Sequence, residues 1–428
     1  MPPVRVQACA GKTHGVILTF LGGAMRSRLG LNGLNFFTAA IQAGFGPFIA
    51  VWLTQAGWSL GELGLALSIG TFAALVGQVP GGLLVDQIHH KRAVTAWGLL
   101  ALGVSALMLC LPPTQPLIWR AQVAHALASC VVTPAIAAVT LSLCGHDSFG
   151  ERLGVNTRWA SLGNAASAAL LGAAAWYVSG QAVFFVTAAL TVPALAALSM
   201  IHAGDCIEDG EDHPALSHPR QREHWPWQIL TEPALHVFAV AAVLFQLSNA
   251  ALLPMAVSDL TRRGAASGFI VSATVIVPQI ITALLAPRAG RLAQTMGRRP
   301  VLLIGFAAVP LRALLFATLP GAVPLTVFQA LDGVSAAVLG LMLPLIAADV
   351  TKRTGYLNLA IGALGLAAGL GATFSTIVAG AIAEQYGAPE TFLFLAAVGS
   401  LAVLLLWVAM PETRPVRHRR VSKATLPA

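Results

Sequence analysis

The chain has 428 residues, 57% of them hydrophobic and only 10% charged, with a mean hydropathy of +0.77. Soluble domains carry about 25% charge and roughly 45–50% apolar residues, so an ordinary soluble enzyme, a disordered regulator and a disulfide scaffold are excluded and lipid is the expected solvent. The net charge of +8 rests on only 25 Lys and Arg clustered in short loops, which is the pattern of membrane topology rather than of a nucleic-acid partner.

A bilayer core of about 30 Å takes roughly 20 apolar residues per helix. Twelve segments fit, starting near Leu29, Leu60, Arg92, Pro116, Leu153, Gln181, Glu232, Ser267, Arg299, Pro324, Gly355 and Pro389. The runs are continuous rather than alternating, which argues against a membrane β-barrel. Residues 1–28 precede the first span and read as a cytoplasmic segment. Val16–Ala24 is too short to span, no clear cleavage site follows, and translation from Met25 would set Arg26 and Arg28 directly before the first helix.

The first span carries Asn32, Asn35 and Gln42, with Asn35 and Gln42 seven apart on one face. Between spans two and three, Gly82-Leu83-Leu84-Val85-Asp86 is followed by His89, His90, Lys91 and Arg92. Gly82 would let two helices approach closely, and Asp86 could face the positive N-terminus of another helix. The other reading of these charges is that they only fix topology. Span four carries Arg120 near its outer end, where it could snorkel, then Gln122 and His125. His125 reads either as a packed histidine or as a group titrating near neutrality. Asn156 and Arg158 begin span five and could join the inner gate. A polar linker over 203–231 then separates six-span units at 29–202 and 232–411, and 412–428 forms a basic tail. His202, His213, His218 and His224 are spaced too irregularly for a metal site.

Span seven carries Gln246 and Asn249, three apart on one face. Such amides serve either as substrate ligands or as helix–helix contacts. Between spans eight and nine the loop pattern recurs as Gly290-Arg291-Leu292-Ala293-Gln294-Thr295-Met296-Gly297-Arg298-Arg299. Arg312 in span nine and Asp332 in span ten lie at matching depth, about 10–13 Å in at roughly 1.5 Å per residue. Ionisable groups at such depth are costly and usually functional. A buried pair is expected, either structural or a proton switch. Asp349 reads as part of a loop cluster with Lys352 and Arg353.

The halves match: Pro47 with Pro254, Gly82 with Gly290, Pro134 with Pro344, and Arg152-x-Gly154 with Arg353-x-Gly355. Near-constant offsets point to a duplicated six-helix unit, a known transporter plan. Lys and Arg crowd the loops on one side, which puts both termini in the cytoplasm.

The two loop motifs, at matching places in a duplicated chain, resemble the signature of the major facilitator superfamily, from about Leu29 to Pro411. Each copy departs from it: Gln87 and His89 stand for an Arg and a Gly in the first, Gln294 and Thr295 for the Asp and Arg in the second. Gln42-Ala43-Gly44-Phe45-Gly46-Pro47-Phe48, Gln329-Ala330-Leu331-Asp332-Gly333 and Thr354-Gly355-Tyr356-Leu357-Asn358 are similar to strings of bacterial permeases near its drug and metabolite transporters.

The resemblance implies an all-α membrane protein of twelve transmembrane helices in two pseudo-symmetric six-helix bundles. It implies a cavity lined by spans one, four, seven and ten, and a cytoplasmic gate in which Asp86 meets span eleven near Gly355. The gating set is then Gly82, Asp86, Lys91, Arg92, Gly290, Arg298 and Arg299. The charge-coupling set is Asp332, Arg312, His125 and Arg120, and the cavity amides are Asn35, Gln42, Gln122, Gln246 and Asn249. The glycine-proline motif frequent in span five of antiporters is absent between Gly163 and Gly172.

No nucleotide-binding loop and no catalytic Ser/His/Asp set is present, and no cofactor or metal is expected. The expected function is proton-coupled secondary transport, by a monomer, of a small organic solute across the bacterial inner membrane. A neutral or cationic solute suits these walls better than a polyanion. A non-transporting membrane sensor and a lipid flippase are the alternatives.

Overall fold

The computed structural model describes residues 10–43, 49, 52–53, 56–58, 60–202, 232–262, 268–352 and 354–414. Pro47, Cys9, Cys206, the 203–231 linker, Arg263, Arg353 and the tail beyond Arg414 lie outside them. The described residues contain no strand. The helices are α1 (Ala10–Ala43), α2 (Leu60–Gln87), α3 (Lys91–Met108), α4 (Gln115–Tyr177), α5 (Ala182–Ala189), α6 (Thr191–Ser199) and α7 (Pro233–Asn249). They continue with α8 (Leu252–Arg262), α9 (Gly268–Thr295), α10 (Arg298–Thr318), α11 (Ala322–Val350), α12 (Leu357–Tyr386) and α13 (Ala388–Ala409). Nine stretches among the described residues are long and apolar enough to cross a bilayer.

Three local features shape this order. The 63-residue α4 reverses at Gly145, whose φ of 64° lies in the left-handed region that glycine enters without penalty. It therefore supplies two passages, before and after the reversal. The breaks between α5 and α6 and between α7 and α8 fall three to four residues before Pro193 and Pro254. There the proline ring collides with a carbonyl and removes an N–H. At the second break the Ala251 N–H donates to Ser375 Oγ at 3.0 Å, so the interrupted backbone stays satisfied inside the bundle. The first helix begins at Ala10, ahead of the Leu29 expected from hydropathy.

Apolar side chains lie outside as well as inside. Trp97, Leu100, Val104 and Leu107 of α3 are exposed along one face, as a lipid-facing helix requires. The largest core cluster joins α7, α10, α11, α12 and α13 and includes Phe238, Phe245 and Phe306. It also takes in Ala137, Leu141, Phe149 and Leu153 of α4, so it runs across the boundary between the halves.

The two halves meet through glycine in a repeated geometry. A Cβ on Gly82 would stand 2.1 Å from the Asn358 carbonyl oxygen, and one on Gly362 would stand 2.3 Å from that of Gln78. On the other side, a Cβ on Gly290 would stand 2.4 Å from the Gly150 carbonyl oxygen, and one on Gly154 would stand 2.4 Å from that of Ala286. A single shift of 208 positions relates the two sets (78 to 286, 82 to 290, 150 to 358, 154 to 362). The expected pairing of Gly154 with Gly355 is thereby corrected to Gly362. The string around Arg353 matches in letters, but backbone contact fixes the equivalence seven residues further on.

Candidate functional site

Two places gather polar groups in this apolar bundle: the end that carries the loop motifs, and a central cavity.

At the motif end, Asp86 closes α2 against the first turn of α12. Its Oδ2 accepts the Leu359 N–H at 2.8 Å, and its Oδ1 accepts the Asn358 N–H at 3.2 Å and the Asn358 side-chain amide at 2.8 Å. The first N–H groups of a helix have no partner within it, and an anion there also meets the positive end of the helix dipole. Gly82, one turn before Asp86, makes the approach possible. Lys91 Nζ donates to the Val85 and Asp86 carbonyls and so caps the end of α2. Arg92 is half-buried with no hydrogen bond to its Nε among the described residues.

The second copy of the motif is wired differently. Gln294 occupies the place of Asp86 under the 208-position shift, and a Cβ on Gly150 would stand 2.8 Å from its Nε2. Its Oε1 accepts from Arg298 Nη1 at 3.0 Å, so it brings no charge to the helix that starts beyond Gly145. Arg298 is 1% exposed. It donates from Nε to Asp349 Oδ2 at 2.8 Å and from Nη2 to Oδ1 at 3.3 Å, and from Nη1 to the Ala293 carbonyl at 2.7 Å. Asp349 is therefore no loose member of a loop cluster with Lys352. Helix α11 ends with its carboxylate turned inward, and only the fold brings Arg298 to it across 51 positions. The Arg299 guanidinium donates to the Trp407 carbonyl and lies outside the closure.

The central cavity has a volume of about 590 Å³ and is walled by α1, α4, α7, α9, α11 and α12. Asp332 lines it with a side chain 25% exposed. Arg312 Nη1 lies 2.5 Å from Asp332 Oδ1. The guanidinium is held from behind, Nη1 donating to Gln329 Oε1 at 2.9 Å and Nη2 to Asn249 Oδ1 at 2.6 Å. Gln329 is fully buried and sits one turn before Asp332 on the same face of α11. Such a pair is tolerated in a membrane because each charge answers the other and amides take up both Nη groups, while Arg312 Nε has no hydrogen-bond partner among the described residues.

Of the amides expected to line the cavity, Asn35, Gln246 and Asn249 do so. Gln122 and His125 line a separate cavity of about 530 Å³ between α2, α4 and α12, which touches the central one only at Thr133, Leu343 and Ile361. Gln42 lines neither cavity, and Arg120 is exposed at the end of α4. Their distance from Asp332 is rotational: on helices apolar all round, sequence gives depth but not direction.

Sequence reasoning left out Asn164, Gln279 and Thr282, which line the central cavity, and set Asn156 at the gate although it lines the cavity too. For Gln329 the signal in the sequence is its three-residue spacing from Asp332. Arg158 is exposed, and Arg152 donates to Asn32 Oδ1 at 2.7 Å, tying α4 to α1. Among the described residues no cluster of His, Cys, Asp or Glu could hold a metal ion.

Residues 29–394 match the MFS_1 like family. The chain is 32% identical over 413 residues to the uncharacterized MFS-type transporter MT2531 of Mycobacterium tuberculosis strain CDC 1551, covering 92% of this chain and 96% of that one. The MFS-type transporter Rv2456c of strain H37Rv matches with the same identity and coverage. Among solved structures, the proton:xylose symporter XylE aligns with a TM-score of 0.68 at 14% identity, over 92% of this chain and 96% of its own. The nucleoside transporter NupG aligns with a TM-score of 0.62 at 15% identity, over 90% of this chain and all of its own. The chain belongs to the major facilitator superfamily and has its fold. It is a multi-pass membrane protein of a family of secondary transporters, not of enzymes.

Proposed function

We propose that this chain moves a neutral, polar organic solute by alternating access, that Asp332 carries the coupling proton, and that the membrane is a bacterial inner membrane with both termini on its cytoplasmic side. The reading follows from the Arg312–Asp332 pair at the cavity wall. The Arg312 side chain is buried, while that of Asp332 is partly open to the cavity. Protonation of Asp332 would remove the charge that answers Arg312, and the guanidinium would need a new acceptor from the solute or from a rearranged wall. That is a two-state element which a proton and a solute can both bias.

The paired charges leave the wall without net charge, and its remaining polar groups are amides and hydroxyls, among them Asn35, Asn156, Asn164, Gln246, Asn249, Gln279 and Thr282. Such groups exchange hydrogen bonds with hydroxyl and amide groups, and a volume near 590 Å³ suits a small organic molecule. The structural neighbours, a proton:xylose symporter and a nucleoside transporter, support the same class. The twelve-pass count, the 29–202 and 232–411 units and action as a monomer belong to this reading.

The test is uptake into proteoliposomes of a panel of radiolabelled neutral sugars and nucleosides, with and without a pH gradient. A pH gradient should drive accumulation of at least one of them. Asp332→Asn should abolish that accumulation and leave exchange at equal pH. His125→Ala, in the separate cavity, should keep both. Gradient-driven accumulation by Asp332→Asn would overturn the proton assignment. Transport confined to anionic solutes, or to fluorescent lipid movement between leaflets, would overturn the substrate class.

A further inference from the structure

We propose that the outer groove between α10 and α13 holds an anionic phospholipid, with its phosphate on Arg299 and Arg414 and an acyl chain along the groove. The groove has a volume of about 520 Å³ and is walled by apolar side chains, among them Ile304 and Ala307 of α10 and Val403, Leu404 and Trp407 of α13. Its Trp407 is 61% exposed, and a tryptophan placed so belongs at the membrane–water interface. From Trp407 the groove runs seven residues to Ser400, about 10 Å at roughly 1.5 Å per residue. That depth takes the upper part of an acyl chain, and the Ser400 hydroxyl at its far end is spent on the Ala396 carbonyl.

The shallow end of the groove is cationic. Arg299 stands one turn before Leu303 and two before Ala307, on the groove face of α10, and its guanidinium donates to the Trp407 carbonyl. Arg414 Nη1 donates to the Thr295 carbonyl at 2.6 Å. The nearby carboxylates are already engaged. Asp349 holds Arg298. Glu412 accepts the backbone N–H groups of Arg298 at 2.8 Å, Arg299 at 3.2 Å and Arg414 at 2.9 Å. Among the described residues neither Arg299 nor Arg414 makes an ion pair. Arg299 and Arg414 therefore stand together near the shallow end of the groove, their backbone N–H groups on the one Glu412 carboxylate, and a phosphodiester is the anion whose oxygens two guanidinium forks match. A zwitterionic headgroup cancels its own phosphate. A free phosphate makes no use of the groove.

The full-length protein, purified in a neutral detergent, is titrated with dioleoyl phosphatidylglycerol and with dioleoyl phosphatidylcholine and read by native mass spectrometry. Each basic residue near the surface contributes about fivefold to binding an anionic lipid, so phosphatidylglycerol should be preferred by roughly 25-fold. Arg299→Gln with Arg414→Gln should remove the preference and Arg299→Lys with Arg414→Lys should keep most of it, at unchanged melting temperature. Ala307→Phe, which fills the groove, should weaken both lipids. Equal binding of the two lipids would overturn the proposal. So would a preference that survives the glutamine pair, or displacement of phosphatidylglycerol by an equal concentration of inorganic phosphate. If the glutamine pair does not fold, an unchanged lipid count in Ala307→Phe overturns it alone, and a reduced count supports it.

Discussion

Gly82 and Asn358 are in backbone contact across the two halves of the chain, with room for a hydrogen but not for a methyl group, since a Cβ at 82 would stand 2.1 Å from the Asn358 carbonyl oxygen. The carboxylate of Asp86, one turn on, holds the same pair of helices together by taking up the Asn358 and Leu359 N–H groups.

Gly82→Ala is the first expected consequence. Glycine in a helix costs roughly 0.5–1 kcal/mol relative to alanine, so relief of that cost opposes the clash. Overpacking against backbone costs about 1–3 kcal/mol, and the clash should win. Spin labels on α2 and α12 at the motif end, measured by double electron–electron resonance, should show the separated population rising several-fold. An unchanged distance distribution would mean that the contact does not restrain the halves.

Asp86→Asn keeps the shape and removes the charge. An anion at a helix N-terminus contributes about 0.3–1 kcal/mol at the surface and up to roughly 2 kcal/mol when partly buried. The closed-to-open ratio should therefore fall by about 2- to 30-fold in the same spin-label experiment. Gln294 already stands at the equivalent place, so Gln294→Ala should shift it much less. Equal effects of the two variants would remove the asymmetry inferred between the two motif copies.

Breaking the Arg312–Asp332 pair should cost more than deleting it. Arg312→Gln or Asp332→Asn alone leaves one buried partner unanswered, a loss of about 3–5 kcal/mol. The double variant should recover much of that loss in thermal unfolding in detergent. Additive single losses, with no recovery, would argue that the two groups are not coupled.

The Arg298–Asp349 pair should behave as a bidentate contact. Arg298→Lys keeps the charge but not the fork, and its melting temperature should fall nearly as far as that of Arg298→Gln. Asp349→Asn should destabilise in turn, because Arg298 is 1% exposed and would be left with carbonyl and amide partners only. A lysine variant as stable as the wild type would show that charge alone suffices there.

The sequence by itself determined that the chain lies in a membrane, that it is helical, that it is a duplication, and where its two loop motifs stand. A run of about 20 apolar residues partitions into lipid whatever its neighbours are, and a charge at cavity depth is conspicuous because it is costly. Asp332 and Arg312 could be singled out on those grounds. Direction around each helix axis was decided only by the tertiary structure. A helix apolar on its lipid face and on its core face carries no period that marks either. For that reason His125 and Gln122 could not be told from Asn35 and Gln246 in the sequence, although they line separate cavities. For the same reason Gln329 and Asn249 were not legible as the groups that hold Arg312, nor Asp349 as the partner of Arg298. Backbone contact at Gly82, Gly154, Gly290 and Gly362, which depends on how closely four helices approach, fixed the register of the duplication where matching letters had misplaced it.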